Sequence, residues 1–264
     1  MSTRLLVLGD SIAEGMGARG RAFPALLHEA LDGSQLLDLG KSSRLIDESL
    51  AMADEIAAFA PTLAVVEHGG AESLVHPGPL VDRLITRFAP PTWHGVSGLQ
   101  PRAYYSGDPR KRRRQRRLST LKVAIKRVVI AVSGGRSRMT PQTFGTYLEE
   151  LIATLHRIDC DVVVLSTYRW DERLYPRSMP VVEDTDRIIR RITAADPRVA
   201  FVDLQMTLRC WDDYLDDRMH WNAAGHARAA SAILATVAPL LAERAERGRT
   251  APSTPSPPTA RLSA

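Results

Sequence analysis

Ser11 follows the first apolar run of the chain directly, in Gly9-Asp10-Ser11. A serine at the end of a strand sits on a tight turn, with its hydroxyl exposed and its backbone N–H near a helix start. A nucleophile and one oxyanion donor can come from that one residue. The plainer use of such a serine is to cap a helix. Far along the chain, Asp217 and His220 stand three apart in Asp217-Arg-Met-His220-Trp-Asn222. In a turn, that spacing lets the carboxylate reach Nδ1 of the imidazole and leaves Nε2 free to take a serine proton. Asp216, Asp217 or Asn222 can equally cap the helix that follows. Taken together, and in this order around a parallel α/β pattern, the two segments point to serine-based acyl chemistry.

The elements that must position these residues are legible as alternating patterns. Leu5–Leu8, Gln35–Leu39, Leu63–Glu67, Val162–Ser166 and Val199–Val202 read as strands, rich in Val and Leu and flanked by Gly, Pro or Asp. Nearly continuous apolarity suits a parallel sheet covered on both faces. Phe23–Leu31, Ile46–Phe59, Pro141–Ile158, Val181–Ala194 and Ala223–Ala242 read as helices, with Thr140-Pro141 marking one start. The βαβα order predicts a doubly wound α/β sheet that binds ligands at the carboxyl ends of its strands.

Residues 76 to 140 break the pattern. Pro77, Pro79, Pro90, Pro91, Pro101 and Pro109 punctuate the first half. Then comes a basic run, Arg110, Lys111, Arg112, Arg113, Arg114, Arg116 and Arg117, interrupted only by Gln115. Leu118, Leu121, Ile125, Val128 and Val132 follow on one helical face, with Lys122 and Lys126 off it. This segment is expected to be an insertion or lid. Arg102 to Arg138 hold thirteen Lys or Arg and one acid, Asp108, a net +12; the whole chain carries +5, so the remainder carries −7. A solvated loop is one reading of such a run. The functional readings are docking to an acidic carrier protein or to an anionic membrane surface. Nucleic acid is disfavoured, because no recognition motif or interleaved stacking aromatics accompany the charge.

Length and composition set the frame. The 264 residues, 44% hydrophobic and 25% charged, suit one soluble domain over residues 1–246 carrying the insertion, followed by a Pro/Ser/Thr-rich tail, 247–264, expected to be disordered. No run approaches the roughly 18 apolar residues of a membrane span. The first apolar run, Leu5–Leu8, is shorter than the roughly 7–15 residues of a signal-peptide core, so the expected location is the cytoplasm. Cys160 and Cys210 make no disulfide framework, and Cys160 reads as a buried thiol.

Other patterns are weaker in context. Gly15-Met-Gly17-Ala-Arg-Gly20, with Asp38 beyond it, matches a dinucleotide fingerprint, but the glycines do not follow the strand at once. His68, His76, His94, Glu67 and Glu72 come from dissimilar segments and are read as having no helical i, i+4 pair, which favours surface or supporting roles over a metal site. His226 reads as structural. Trp93, Tyr104, Tyr105 and Trp170 are either core or pocket wall.

Gly9-Asp10-Ser11-Ile-Ala-Glu-Gly15 and Asp217-Arg-Met-His220-Trp-Asn-Ala-Ala-Gly-His226 resemble the first and last blocks of the SGNH, or GDSL-type, hydrolases. The resemblance covers about residues 4–75 and 140–243. It implies a flavodoxin-like three-layer sandwich around a central parallel sheet of about five strands. It also implies Ser11 as nucleophile, His220 as base, Asp217 as orienting acid, and the N–H groups of Ser11 and Gly40 as the oxyanion hole. No metal or organic cofactor is implied. In the third block the family's Gly-x-Asn-Asp is replaced: Ala71 stands where the Asn donor is usual and Glu72 where the Asp is usual. Ser43 stands where a second glycine is common. Asp10, Gly69, Gly70, Ala71 and Glu72 are expected to line the site. The implied activity is ester or thioester hydrolysis. The alternatives are acyl transfer to an acceptor other than water, and acyl binding or basic-arm interaction without turnover.

Overall fold

The computed structural model describes residues 3–18, 20–94 and 98–250. The chain begins with β1 (Arg4–Gly9), α1 (Phe23–Ala30), β2 (Gln35–Asp38), α2 (Ile46–Leu50), α3 (Ala53–Phe59) and β3 (Leu63–Glu67). It continues through α4 (Gly70–Ser73), β4 (Val75–Pro77), α5 (Pro79–Phe88), a 3-10 turn (Pro91–Trp93), α6 (Pro109–Ser133) and β5 (Gly135–Ser137). The last part is α7 (Pro141–Arg157), β6 (Asp161–Leu165), α8 (Ser178–Ala195), β7 (Val199–Val202), α9 (Leu204–Thr207) and α10 (Ala223–Thr250).

Five strands pair in parallel in the order β2-β1-β3-β6-β7. Side chains alternate between the two faces of a strand. Leu5, Val7, Val65, Val163 and Leu165 therefore pack with Phe23 and Leu27 of α1 and with Ile233 and Val237 of α10. Leu6, Leu8, Val66, Val162 and Val164 pack on the other side with Ile46, Phe144, Leu148, Leu155 and Ile189. With both faces covered, a polar residue has no place in the middle of these strands, which is why they read as unbroken apolar runs. The result is the expected three-layer sandwich.

The insertion folds outside the main sheet. β4 and β5 pair antiparallel and bracket α5 and α6. The basic run is helical: Asp108 caps α6 by accepting the amides of Arg110 (2.7 Å) and Lys111 (3.1 Å), and Pro109 takes the first position. The apolar stripe of α6 faces outward. Val128 is 63% exposed and Val132 84%, while Ser119, Val123, Lys126 and Ile130 are buried. The inner face of α6 lies against β4 and the polar rim of a cavity, so a lysine is turned in and leucines are turned out.

α10 runs to Thr250, four residues into the segment expected to be tail. Arg244 fastens it to Asp159 (2.8 Å) and Asp161 (3.1 Å), so the helix continues past the end of the core. Residues 251–264 of the expected tail lie outside the described residues. Among the described residues no helix is long and apolar enough to cross a membrane.

Candidate active site

β1 must end in glycine. A Cβ on Gly9 would lie 2.6 Å from the Glu67 carbonyl oxygen and 2.8 Å from the Ala13 Cβ. The turn beyond it delivers Ser11 to the carboxyl edge of the sheet. There Ser11 Oγ lies 2.9 Å from His220 Nε2, and His220 Nδ1 lies 2.6 Å from Asp217 Oδ2. Asp217 Oδ1 also accepts the amides of Met219 and His220, both at 3.1 Å. Arg218 takes a left-handed conformation (φ 55°), and Leu215 N–H donates to the His220 carbonyl at 2.8 Å. That tight turn brings the three-residue spacing together. Asn222, not either aspartate, caps α10, accepting the amides of Ala224 (2.9 Å) and Gly225 (3.0 Å).

The charges around the serine are buried and interlocked. Burial would lower the His220 pKa, but the hydrogen bond and charge of Asp217, with Asp10 adding to them, raise it above the ordinary histidine value. Burial raises the Asp10 carboxyl, and it raises Glu67 further, well above the usual carboxylate range. Glu67 Oε2 accepts the Asp10 amide at 3.2 Å. Asp10 in turn accepts Ile12 N–H (2.9 Å) on Oδ1 and Ala71 N–H (3.0 Å) on Oδ2.

A cavity of about 210 Å³ opens over Ser11 and His220. Asp10, Ala71 and Asp217 line it, as do Tyr168, Trp170 and Tyr175, while the insertion contributes Gln100, Pro101 and Ala103. Asp216 N–H donates to the Ala103 carbonyl at 3.0 Å, tying the insertion to the loop that carries His220. The sequence does not single out Tyr168 or Tyr175. Their signal is position: they follow β6, beyond the carboxyl end of a central strand.

Four expected site residues lie elsewhere. Glu72 is buried behind the wall, where it accepts the amides of Gly69 and Ile46, each at 2.8 Å, and faces His68 Nδ1 at 3.3 Å. Burial would raise its pKa, but His68 outweighs it and lowers the carboxyl. Gly69 (φ 112°) starts α4. Gly70 leaves room for Tyr168 and Asp10, whose oxygens would lie 3.1 and 3.2 Å from a Cβ there. Gly40 is held close to the first turn, a Cβ being only 2.6 Å from Glu14 N, and its N–H already donates to Asp38 Oδ1 at 2.9 Å. Ser42 and Ser43 line the cavity instead. Ser43 is left-handed (φ 64°), a conformation that favours glycine and accounts for the glycine common there.

The glycines of the dinucleotide-like pattern are turn residues. Gly15, Gly17 and Gly20 have φ of 80°, 81° and 79°, and Ala22 and Leu215 fill the space a Cβ would need at the first two. His226 is structural: its Nδ1 accepts Phe23 N–H at 3.3 Å, and burial, then the nearby His220, lowers its pKa to about 4. Among the described residues no group of three or more His, Cys, Asp or Glu is placed to hold a metal ion.

The fold matches an alpha/beta hydrolase from the metagenome of Lake Arreo, Spain (TM-score 0.55, 16% identity, covering 90% of this chain and 97% of that one). It also matches the psychrotrophic esterase EstA of Pseudoalteromonas sp. (TM-score 0.56, 12% identity, 91% and 100%). A catalytic mutant of the acetylxylan esterase Axe2 of Geobacillus stearothermophilus is similar as well (TM-score 0.53, 16% identity, 90% and 95%). Among curated proteins none matches. The family model described as GDSL-like lipase/acylhydrolase matches residues 7–228. With that match spanning most of its length, the chain belongs to the GDSL-like lipase/acylhydrolase family.

Proposed function

We propose that this chain hydrolyses an ester or thioester through a covalent acyl-enzyme, with Ser11 as nucleophile, His220 as base and Asp217 as the acid that orients it. The observation that carries this is the continuous line from Ser11 Oγ through His220 (2.9 Å) to Asp217 (2.6 Å) inside one cavity. His220 Nε2 takes the serine proton as Oγ attacks the acyl carbon. Asp217 holds the proton on Nδ1 and stabilises the imidazolium. The same proton then goes to the leaving group, and a water activated by His220 releases the acid. The Ser11 and Ser43 amides are the proposed oxyanion donors, since both residues line the cavity and the Gly40 amide is engaged by Asp38. A fluorophosphonate probe should label the wild-type protein and spare Ser11→Ala. Equal labelling of the two removes Ser11 from the mechanism.

Acyl transfer is the second reading. It is favoured by the cover that Gln100, Pro101 and Ala103 place over the serine. Product analysis with and without added alcohols separates the two.

The outward face of the insertion is proposed to bring the enzyme to an anionic membrane surface. All seven cations of Arg110–Arg117 are exposed. Leu80 (74% exposed) and Phe88 (76%) of α5 continue the apolar face of α6 across a groove lined by Leu84, Trp93 and Ile125. Apolar side chains with Lys and Arg on one surface are the footprint of an interfacial element.

A further inference from the structure

The cavity has a cationic wall that ester chemistry alone leaves unexplained. Lys126, on the inner face of α6, is 1% exposed. Its Nζ donates to Gln100 Oε1 at 3.3 Å and lies 5.5 Å from the centroid of the Tyr175 ring. Gln100 and Tyr175 both line the cavity that holds Ser11, so the ammonium stands one layer behind its wall. Arg138 lines the same cavity and donates to the Ser43 carbonyl at 2.8 Å. Among the described residues neither cation has a carboxylate within 4.0 Å.

The neighbours do not supply the missing charge. His76 beside them is held neutral, since burial, then Lys126 and Arg138, lowers its pKa to about 3, and its Nε2 is buried without a partner. The two carboxylates in the cavity wall are occupied: Asp10 by the Ile12 and Ala71 amides, Asp217 by His220 and two amides. An ammonium kept out of water without a counter-charge is destabilising, and a purely apolar acyl chain gains nothing from it.

We propose that Lys126, with Gln100 and Arg138, forms an anion subsite beside Ser11 that takes a carboxylate carried by the substrate. The subsite deepens the acyl-enzyme reading of this cavity and rests on it. The small volume favours a short spacer between that carboxylate and the reacting carbonyl, as in a half-ester of a four- or five-carbon diacid.

The test compares 4-nitrophenyl hemiglutarate with its neutral methyl ester. The wild type should favour the acid by roughly tenfold or more in kcat/KM, the size expected for one charge-assisted contact. Lys126→Met should lose that preference, through a raised KM for the acid. A preference unchanged in Lys126→Met overturns the proposal. Wild-type protein supplies an arm that needs no variant: monomethyl glutarate should inhibit competitively, and dimethyl glutarate at least roughly tenfold less well. Equal inhibition overturns the subsite, and tighter inhibition by methyl phosphate overturns its assignment to a carboxylate. Calorimetry of monomethyl glutarate with Ser11→Ala separates the two layers. Binding there, with no probe labelling of the wild type, sinks the acyl-enzyme and spares the subsite. Labelling without binding does the reverse.

Discussion

Asp10 Oδ2 accepts the Ala71 amide at 3.0 Å, which pins the turn after β1 to the short helix α4 that follows β3. Ala71 therefore presents its methyl group to the site from a fixed backbone, and supplies no side-chain donor there. Loss of one oxyanion donor typically costs roughly 100–1,000-fold in rate. Ala71→Asn should raise kcat/KM on an oxygen ester more than on the matching thioester, because the less activated carbonyl depends more on the hole. Loss of both activities in a folded variant would show that the methyl group is a required wall.

Under the proposed mechanism the raised pKa of His220 sets the acid limb of the pH profile. The base must be neutral, so kcat/KM should rise with pH through an inflection above the ordinary histidine value of 6.5. Asp217→Asn removes the hydrogen bond and charge that hold that pKa up. The inflection should move down while the rate falls by roughly 10⁴-fold, from loss of the correct tautomer. An inflection that stays in place in Asp217→Asn would assign the limb to another group.

Lys126 makes a stability prediction of definite sign. Its folded pKa is lowered to about 7 by burial, from 10.5 in the unfolded chain. Below pH 7 the folded state must carry the buried charge, and the penalty is fully present. Between pH 7 and 10.5 the unfolded state binds a proton that the folded state does not, so stability rises with pH and the penalty fades. Lys126→Met should therefore raise Tm most at or below pH 7, and the gain should vanish toward pH 10.5. Thermal melts of both proteins across that range check it. A gain independent of pH would mean that the fold leaves the Lys126 pKa where the unfolded chain has it.

The membrane proposal is tested on vesicles. Wild-type protein should sediment with phosphatidylglycerol vesicles at low salt and much less at high salt, since exposed charges are screened beyond about 10 Å at 0.1 M. Changing Arg112, Arg113, Arg116 and Arg117 to Gln should abolish sedimentation and leave turnover of a small soluble ester unchanged. Salt-sensitive binding to an acidic carrier protein with none to vesicles would transfer the surface to a protein partner.

The sandwich was legible because its strands are buried on both faces. Leu5–Leu8 and Leu63–Glu67 can hardly be anything else, and Ser11 falls at the edge they create. The meeting of Ser11 with His220 was legible only from the two segments taken together, since Asp217 or Asn222 alone could as well cap α10. The orientation of α6 was not. Periodicity says that Leu118, Leu121, Val128 and Val132 share a face, but not which face meets the body. Here Lys126 meets Gln100 of the insertion itself and Tyr175 of the body. Gly40 is a related case: a glycine can be required by close packing against Glu14 as readily as by a ligand. The left-handed Ser43 carries no signal of its backbone in its residue type.

The bond from Asp216 N–H to the Ala103 carbonyl joins the insertion to the segment that carries Asp217 and His220. Lifting the insertion off the cavity breaks that bond one residue away from Asp217. A change of backbone at Ala103 is therefore felt next door to Asp217, so the insertion and the Asp217–His220 turn share one point of attachment.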